Sequence, residues 1–577
     1  MPNELTDFGL ISYNTIENIA DAIREKTNSE VNYYPSSMAM AIRQIRTGEG
    51  YLYPTIYSLK QYYAGQWDQT IINNNQMYDF EFRNAIIPGD SEIIGILNYG
   101  QLYSKNVIFY KRPLQNANEY AYGLCTESGE IYNMTSIIDM ENLFVGCEHL
   151  NDAISGPYTM SMINTYRSCY NLAEANCGPN VQYMDNCYES CYNLTNAVCG
   201  NNVLTMRGTY LYCSNLNNGV SGPNVLDMRY AYNGCSNLIK LNIGPKVEDI
   251  QYVAAGCYNL VNVDGGNAVK NGYNAFAGCY NLERVNATFS ELIDGSNMFY
   301  TCNNLETPGF LLGANKLQIA NNMFQNCWSL TTGLIPDNVI ETAGMYQNCY
   351  SLEFAIGGEH VINAYRMFEN CYNLTNVIAF NVVENMYGAF ENCYNLQIAN
   401  VGAENAIQMA YCFNGCNNLL EPLFTPNANN MYMAYHNCHN LLNYYIPEGV
   451  NDISSTYKNC FNITGNVLIP ENVSVIGNAF YMCEKVQDVV IFGNNIINQS
   501  WRTCNAFYRI NYSMRRNIVL TNLTAFNNFV YCNGAGNFIK TNETYAEPVE
   551  INIENNSYNA VRCSYNTLYN CYIYCTE

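Results

Sequence analysis

Residues 367–374 read MFENCYNL, and residues 389–396, one step of 22 positions later, read AFENCYNL. Residues 275–282 repeat the same unit as AFAGCYNL. Extended in both directions, the register holds sixteen cysteines: Cys147, Cys169, Cys191, Cys213, Cys235, Cys257, Cys279, Cys302, Cys327, Cys349, Cys371, Cys393, Cys416, Cys438, Cys460 and Cys483. Their intervals are 22 residues, with a few of 23 and one of 25 between Cys302 and Cys327. Three positions before each cysteine stands an aromatic residue, from Phe144 and Tyr166 to Phe480, with Ala254 the single exception. Three positions after it stands Leu in fourteen copies, then Ile463 and Val486. Asn dominates two positions after it, as at Asn171, Asn193, Asn237, Asn281, Asn373, Asn395 and Asn440.

A unit of this size cannot bury its apolar face alone, so successive units must stack, and equivalent positions then form columns along one axis. The aromatic, Cys and Leu columns share one side of the turn and are the expected core. A stretch such as NVLIPENVSVIGNAF (466–480) has strand character, and 22 residues leave no room for a long helix besides. Parallel strands would place the columns about 4.8 Å apart, so that sixteen coils span roughly 75–80 Å. The expected fold class is therefore a repeat solenoid with short parallel strands, one per coil of about 22 residues.

The chain is 577 residues long with a formal net charge of −23, from 49 acidic and 26 basic residues. A nucleic-acid-binding surface needs a basic stripe, and adsorption to anionic lipid is opposed by the same imbalance, so neither partner is expected. Aromatic residues reach 14% and charged residues only 13%, the opposite of a disordered chain. No run of 18 apolar residues occurs, so no membrane insertion is expected. The opening residues carry no basic segment followed by an apolar one, which suggests synthesis without an export signal, in a reducing cytosol where thiols persist.

The order I-P-x-x-V-x-x-I-x-x-A-F-x-x-C-x-x-L, complete in Ile469 to Val486, resembles the BspA-like leucine-rich repeat. The resemblance spans about residues 126–500 and departs from the family where Pro is missing and Tyr replaces Phe. That family is found in adhesive surface proteins and phage genomes, so the resemblance implies binding more than catalysis.

At the start, Ile16, Ile19, Ala20 and Ile23 fall at helical spacing behind Asn14 as a potential N-cap, and SSMAMAIRQIR (36–46) offers a second short amphipathic helix. This pattern resembles a small module that opens many phage tail and virion proteins. The expected organisation is a helical N-terminal anchor at 1–48, a β-rich adaptor or cap at 51–125, the solenoid at 126–500, and degenerate repeats with a C-terminal cap at 501–577. Cys504 and Cys532 lie in blurred copies (WRTCNAF, FVYCNGA), and the last residues, SYNTLYNCYIYCTE, suit a terminal cap or an oligomer contact.

Chemistry is sparse. Only four histidines occur, and no phosphate loop, H-E-x-x-H or G-x-S-x-G motif is present. His436, Cys438 and His439 are metal-ligand types, but Cys438 belongs to the core ladder, so no metal, cofactor or catalytic residue is expected. In Cys187/Cys191 and Cys412/Cys416 the extra thiol reads as a core substitution. Glu369 and Glu391 stand two positions before consecutive ladder cysteines, about 5 Å apart by column spacing, which resembles a retaining glycosidase pair. Their column also holds Glu189, Gln325, Gln347, Asn414, His436 and Lys458, the variation of a solvated row.

The position after the ladder cysteine gives the candidate ligand- or partner-binding stripe: Tyr170, Tyr192, Tyr258, Tyr280, Trp328, Tyr350, Tyr372 and Tyr394. Aromatic faces at regular spacing can stack on sugars or anchor a protein; the same column could equally pack laterally between coils. Taken together, the resemblances imply a non-enzymatic phage virion protein, a tail fibre or receptor-binding protein. It would be held by other virion proteins through its N-terminus, oligomeric, and would bind a host cell-surface glycan or protein. A head or collar decoration, a bacterial surface adhesin and a glycan-depolymerising tailspike are the alternatives.

Overall fold

The computed structural model describes residues 161–492 without a break. Around them it describes strand segments within 67–133, single positions between 140 and 160, and residues 505–508, 516–534, 538–553, 556–566 and 571–577. The expected N-terminal helices, Cys147 and Cys504 lie outside the described residues. The chain divides into two compact units, Met1–Gly266 and Asn267–Glu577.

In the first unit, β1 (Trp67–Asp68), β2 (Glu92–Tyr99), β3 (Asn106–Pro113), β4 (Tyr120–Thr126) and β5 (Ile131–Asn133) form an antiparallel sheet in sequential order. Coils follow. Ser161, Tyr183, Thr205, Asp227 and Asp249 pair in parallel, each with its equivalent one coil on. The strands β6 (Asn218–Val220), β7 (Lys240–Ile243) and β8 (Asn262–Gly265) pair in parallel, with Gly219, Leu241 and Val263 in one inward row. A Cβ on Gly219 would lie 2.6 Å from Leu241 Cδ1, so a larger residue there would require the Leu241 side chain to shift.

The second unit repeats the plan. After β9 (Arg284–Asn286), β10 (Thr332–Ile335), β11 (Phe354–Gly357), β12 (Asn376–Ala379) and β13 (Ile398–Val401) form a parallel sheet, four residues per coil. The long 25-residue interval is absorbed by a single 3-10 turn at Gly309–Gly313, whose Phe310 and Leu311 are buried beside Phe299 and Phe324. Beyond, β14 (Gly465–Ile469), β15 (Val486–Ile491) and β16 (Arg516–Leu520) continue in parallel. Helix α1 (Leu523–Gly534) starts at Asn522, whose Oδ1 accepts from the Thr524 and Ala525 amides at 2.9 and 3.1 Å, an N-cap. The antiparallel hairpin β17 (Phe538–Ile553) and β18 (Asn556–Asn566) joins the sheet through β19 (Cys571–Cys575), which pairs in parallel with β16. The outer strand β17 is interrupted by register shifts and carries Pro548, features that blunt an open sheet edge.

The core is made of the predicted columns. In the first unit the aromatic rings stack in the order Phe144, Tyr166, Tyr188, Tyr210 and Tyr232 at centroid distances of 5.3–5.4 Å, and Ala254 ends the row. In the second, stacking runs from Phe276 through Phe299, Phe324, Tyr346, Phe368, Phe390, Phe413, Tyr435 and Tyr457 to Phe480 and Phe507 at 5.1–5.8 Å. Phe507 takes the aromatic place, so the copy WRTCNAF is a coil whose phase is set by Phe507 and not by Cys504. Cys187 and Cys412 are buried in a column otherwise filled by Ala, Met, Val and Thr, as core substitutions.

Two details explain the composition. Each coil turns through two residues of positive φ, five positions and one position before the ladder cysteine: Gly344 and Asn348, Arg366 and Asn370, Gly388 and Asn392. Only Gly, and next Asn, adopt this conformation without strain. Between them, amide donors alternate, Met345 bonding back to Thr342 of its own coil while Gly344 and Tyr346 bond forward to Tyr365 and Met367 of the next. Core tyrosines also bond the backbone twelve residues earlier: Tyr210 Oη donates to the Val198 carbonyl at 2.7 Å and accepts from the Val198 amide at 2.9 Å.

Candidate binding face

The ladder cysteines are committed to structure. Each thiol donates to the carbonyl oxygen of the core aromatic one coil back, at 2.9–3.1 Å from Cys169 to Cys257 and at 3.0–3.3 Å from Cys302 to Cys483. Burial pushes the Cys371 and Cys438 thiols well above their ordinary value, which keeps them protonated donors. The cysteines whose side chains are described are free thiols.

The next residue turns outward. The stripe residues are 36–50% exposed in both units. Tyr170 and Tyr192 stack at 5.2 Å in the first unit. The longest run, in the second unit, is Trp328, Tyr350, Tyr372 and Tyr394, with centroids 6.1, 5.1 and 5.1 Å apart and planes within 22°. Tyr258 belongs to the first unit and Tyr280 to the second. Ser214 and Ser236 interrupt the stripe in one unit, Asn303 and Asn417 in the other. Within a run the ring faces are turned to one another, so ring edges and hydroxyls line the surface. Burial and the neighbouring Tyr350 and Tyr394 raise the Tyr372 phenol above its ordinary value, so it presents a protonated hydroxyl at neutral pH.

A second aromatic row lies five to six positions before the ladder cysteine: Tyr365, Tyr387, Tyr411 and Tyr432, with centroids 5.3–5.5 Å apart. Its signal was present in the sequence only once the repeat is aligned coil by coil, since Tyr411 is offset by one. The guanidinium of Arg366 lies 5.6 and 5.7 Å from the Tyr365 and Tyr387 ring centres.

Arg366 Nη1 also donates to both oxygens of Glu369 at 3.0 and 3.1 Å, and Gln347 donates to the same carboxylate. Gln325 donates to Gln347, and Asn414 to Glu391 at 2.9 Å. This column, expected to be a solvated row, is a hydrogen-bonded polar rail, and Glu369 is only 9% exposed. Arg366 makes the difference, because a buried carboxylate is tolerated when paired and hydrogen-bonded. Burial, opposed by the Asn414 hydrogen bond and assisted by Glu369, raises Glu391 above the ordinary carboxyl value. With both oxygens held by Arg366, Glu369 reads as a structural carboxylate.

The metal-ligand types at 436–439 go to separate partners. Cys438 bonds the Phe413 carbonyl at 3.1 Å, and His439 stacks on Phe461 at 4.8 Å. His436 is pushed down to about 4 by burial, then by Lys458 and His439. Among the described residues no three His, Cys, Asp or Glu side chains converge on a metal position, and no helix is long and apolar enough to cross a membrane.

The Asn residues form rails of their own. Those two positions after the cysteine link along the axis, as Asn440 to Asn418 and Asn462 to Asn440, both at 3.2 Å. A tighter row runs one position before it, where Asn392, Asn370 and Asn348 donate in turn to Asn370, Asn348 and Asn326 at 2.9, 2.8 and 2.7 Å.

Among solved structures, the chain is similar to a leucine-rich repeat protein from Bacteroides ovatus at 16% identity, covering 65% of this chain and 95% of that one, with a TM-score of 0.43. It is also similar to the leucine-rich repeat protein of T. pallidum, at 25% identity over 27% of this chain and 78% of that one, TM-score 0.24. A leucine-rich cell-surface protein from Faecalibacterium prausnitzii matches at 19% identity over 51% and 82%, TM-score 0.30. No curated protein gives a significant match. The model of the BspA type leucine rich repeat region matches at residues 118–229, 143–254, 228–353, 344–464 and 431–537. With residues 118–537 thus covered, well over half of its length, the chain belongs to the BspA-type leucine-rich repeat family.

Proposed function

We propose that this chain is a non-enzymatic attachment protein that binds an extended cell-surface glycan or protein along its aromatic stripe. The observation that carries this reading is the run Trp328, Tyr350, Tyr372 and Tyr394, partly exposed and stacked coil by coil. Ordered tyrosines give amphipathic contact area at little entropic cost, their hydroxyls free to hydrogen-bond. A ligand lying along the axis would meet equivalent aromatic contacts on the consecutive coils of each run, so weak contacts add by multivalency.

The setting we propose is a bacteriophage virion, as a tail fibre or receptor-binding protein, several copies being anchored through residues 1–48. Support comes from the pattern of Ile16 to Ile45, which resembles the N-terminal module of phage tail proteins. A bacterial surface adhesin is the second reading, favoured by membership of a repeat family found in adhesive surface proteins. Mass spectrometry of purified virions against washed cell envelopes separates the two.

The binding reading is tested on a printed panel of bacterial surface polysaccharides and on intact cells. The unmodified protein is expected to bind, and Tyr350→Ser/Tyr372→Ser/Tyr394→Ser to lose at least about tenfold in affinity while its thermal unfolding stays cooperative. Equal binding by the triple variant, or no binding by the unmodified protein, overturns it.

A further inference from the structure

We propose that Cys177 and Cys199 are an oxidative modification site, closing into a disulfide between neighbouring coils when the protein meets a disulfide oxidant of the glutathione type. The two residues are 22 positions apart and occupy one column on consecutive coils of the first unit, between Ser155 and Ser221. Coil spacing of about 5 Å falls inside the Cα range a disulfide requires.

The sulfur of Cys177 reaches along the axis toward its partner. A Cβ on Gly200, the residue after Cys199, would lie only 3.0 Å from it. Cys199 repeats the arrangement, its sulfur lying 3.1 Å from where Gly222 would carry a Cβ. A rotation of the Cys199 side chain back along the column brings the two sulfurs together. Its restraints are long contacts: Cys199 approaches the Gly200 carbonyl at 3.8 Å and the Gly222 backbone, and Cys177 the Gly178 carbonyl at 3.7 Å and the Met184 sulfur at 3.6 Å, against 2.9–3.3 Å in the ladder.

Accessibility separates the pair from the other cysteines whose side chains are described: Cys177 and Cys199 are partly exposed, and those others, the described ladder among them, are buried. An oxidant therefore reaches this column and leaves the ladder untouched. Deprotonation sets the rate, since the attacking species is the thiolate. Burial pushes Cys177 up to about 11 and Cys199 to about 12, so the reaction is slow at neutral pH and accelerates as pH rises.

In the first step the Cys177 thiolate attacks one sulfur of glutathione disulfide, forming a mixed disulfide and releasing one glutathione. In the second, the Cys199 thiolate displaces the remaining glutathione. Two S–H bonds are lost and one S–S bond is formed; the two electrons and two protons leave with two molecules of glutathione. The product ties two coils together, so a protein made with reduced thiols would gain this tie on reaching an oxidising surrounding.

The test treats the full chain in its folded state with glutathione disulfide at pH 8.5, blocks remaining thiols after unfolding, and maps peptides by mass spectrometry. The expected product links the peptides of Cys177 and Cys199, with the ladder cysteines all blocked. Cys199→Ser should instead hold glutathione on Cys177 with no cross-link. The inference is overturned by a stable mixed disulfide at Cys177 in the unmodified chain, by both thiols remaining blockable, or by a link to a ladder cysteine such as Cys187.

Discussion

The Cys371 thiol donates to the carbonyl oxygen of Tyr346, one coil back, at 3.1 Å, and neither residue is exposed to solvent. The column thus asks for a small apolar side chain that can still donate one weak hydrogen bond, which is a description of cysteine. Removing the sulfur leaves a cavity and takes away that donor. Cys371→Ala should cost about 1–3 kcal/mol, measured as a lower urea midpoint with an unchanged slope.

Asn348 holds φ at +62° and links Asn326 and Asn370 at 2.7 and 2.8 Å. Asn348→Ala keeps the backbone demand and loses both links, so a loss of about 1–2 kcal/mol is expected. The equivalent Thr301 is β-branched at φ +60°. Thr301→Asn should raise the thermal midpoint, and a fall would mean that the left-handed position is not the controlling strain.

Tyr210→Phe keeps the ring stack and deletes only the hydroxyl that serves both the amide and the carbonyl of Val198. A loss of about 1–3 kcal/mol is expected from the two backbone groups left without that partner. Phe390→Tyr, in a coil where the core aromatic is Phe, gives the converse comparison.

Stability should fall on both sides of neutrality, for different groups. Burial raises the ladder thiols Cys349, Cys371 and Cys393 above the ordinary 9.0, and the Tyr435 and Tyr457 phenols above 10.0. Between those values and the folded ones the unfolded chain loses protons that the native chain keeps, so stability is full below pH 9 and falls as pH rises further. His436 is lowered to about 4, so its contribution is present above 6.5 and is lost as pH falls from there toward 4. Thermal midpoints across pH 4–11 should show a shallow acid limb and a steep alkaline one, because many thiols and phenols act on the latter.

The period of 22, the aromatic, Cys and Leu columns, and the coil with short parallel strands were all legible in the sequence, because identical positions must share one environment when units stack. The insertion before Cys327 was visible as a long interval, yet its form as a 3-10 turn depends on Phe310 fitting beside Phe299 and Phe324. The positive φ values were hidden behind a mixed column in which Tyr212, Thr301 and Met482 stand where Asn or Gly is usual. The burial of Glu369 was not legible, since it depends on Arg366 folding back over three residues to hold the carboxylate. Stripe positions were readable from the register; that their rings would stack on each other with edges outward required the coil spacing and the side-chain torsions.

The most direct test of the attachment reading compares the unmodified chain with Tyr350→Ser/Tyr372→Ser/Tyr394→Ser for binding to the polysaccharide panel and to intact cells, each binding curve paired with a thermal melt. Stacked, partly exposed rings are worth about 0.5–1.5 kcal/mol per pair, so the melt should shift modestly. Binding should fall at least about tenfold. A triple variant that binds as the unmodified chain does, at equal folded fraction, would contradict a binding role for this stripe.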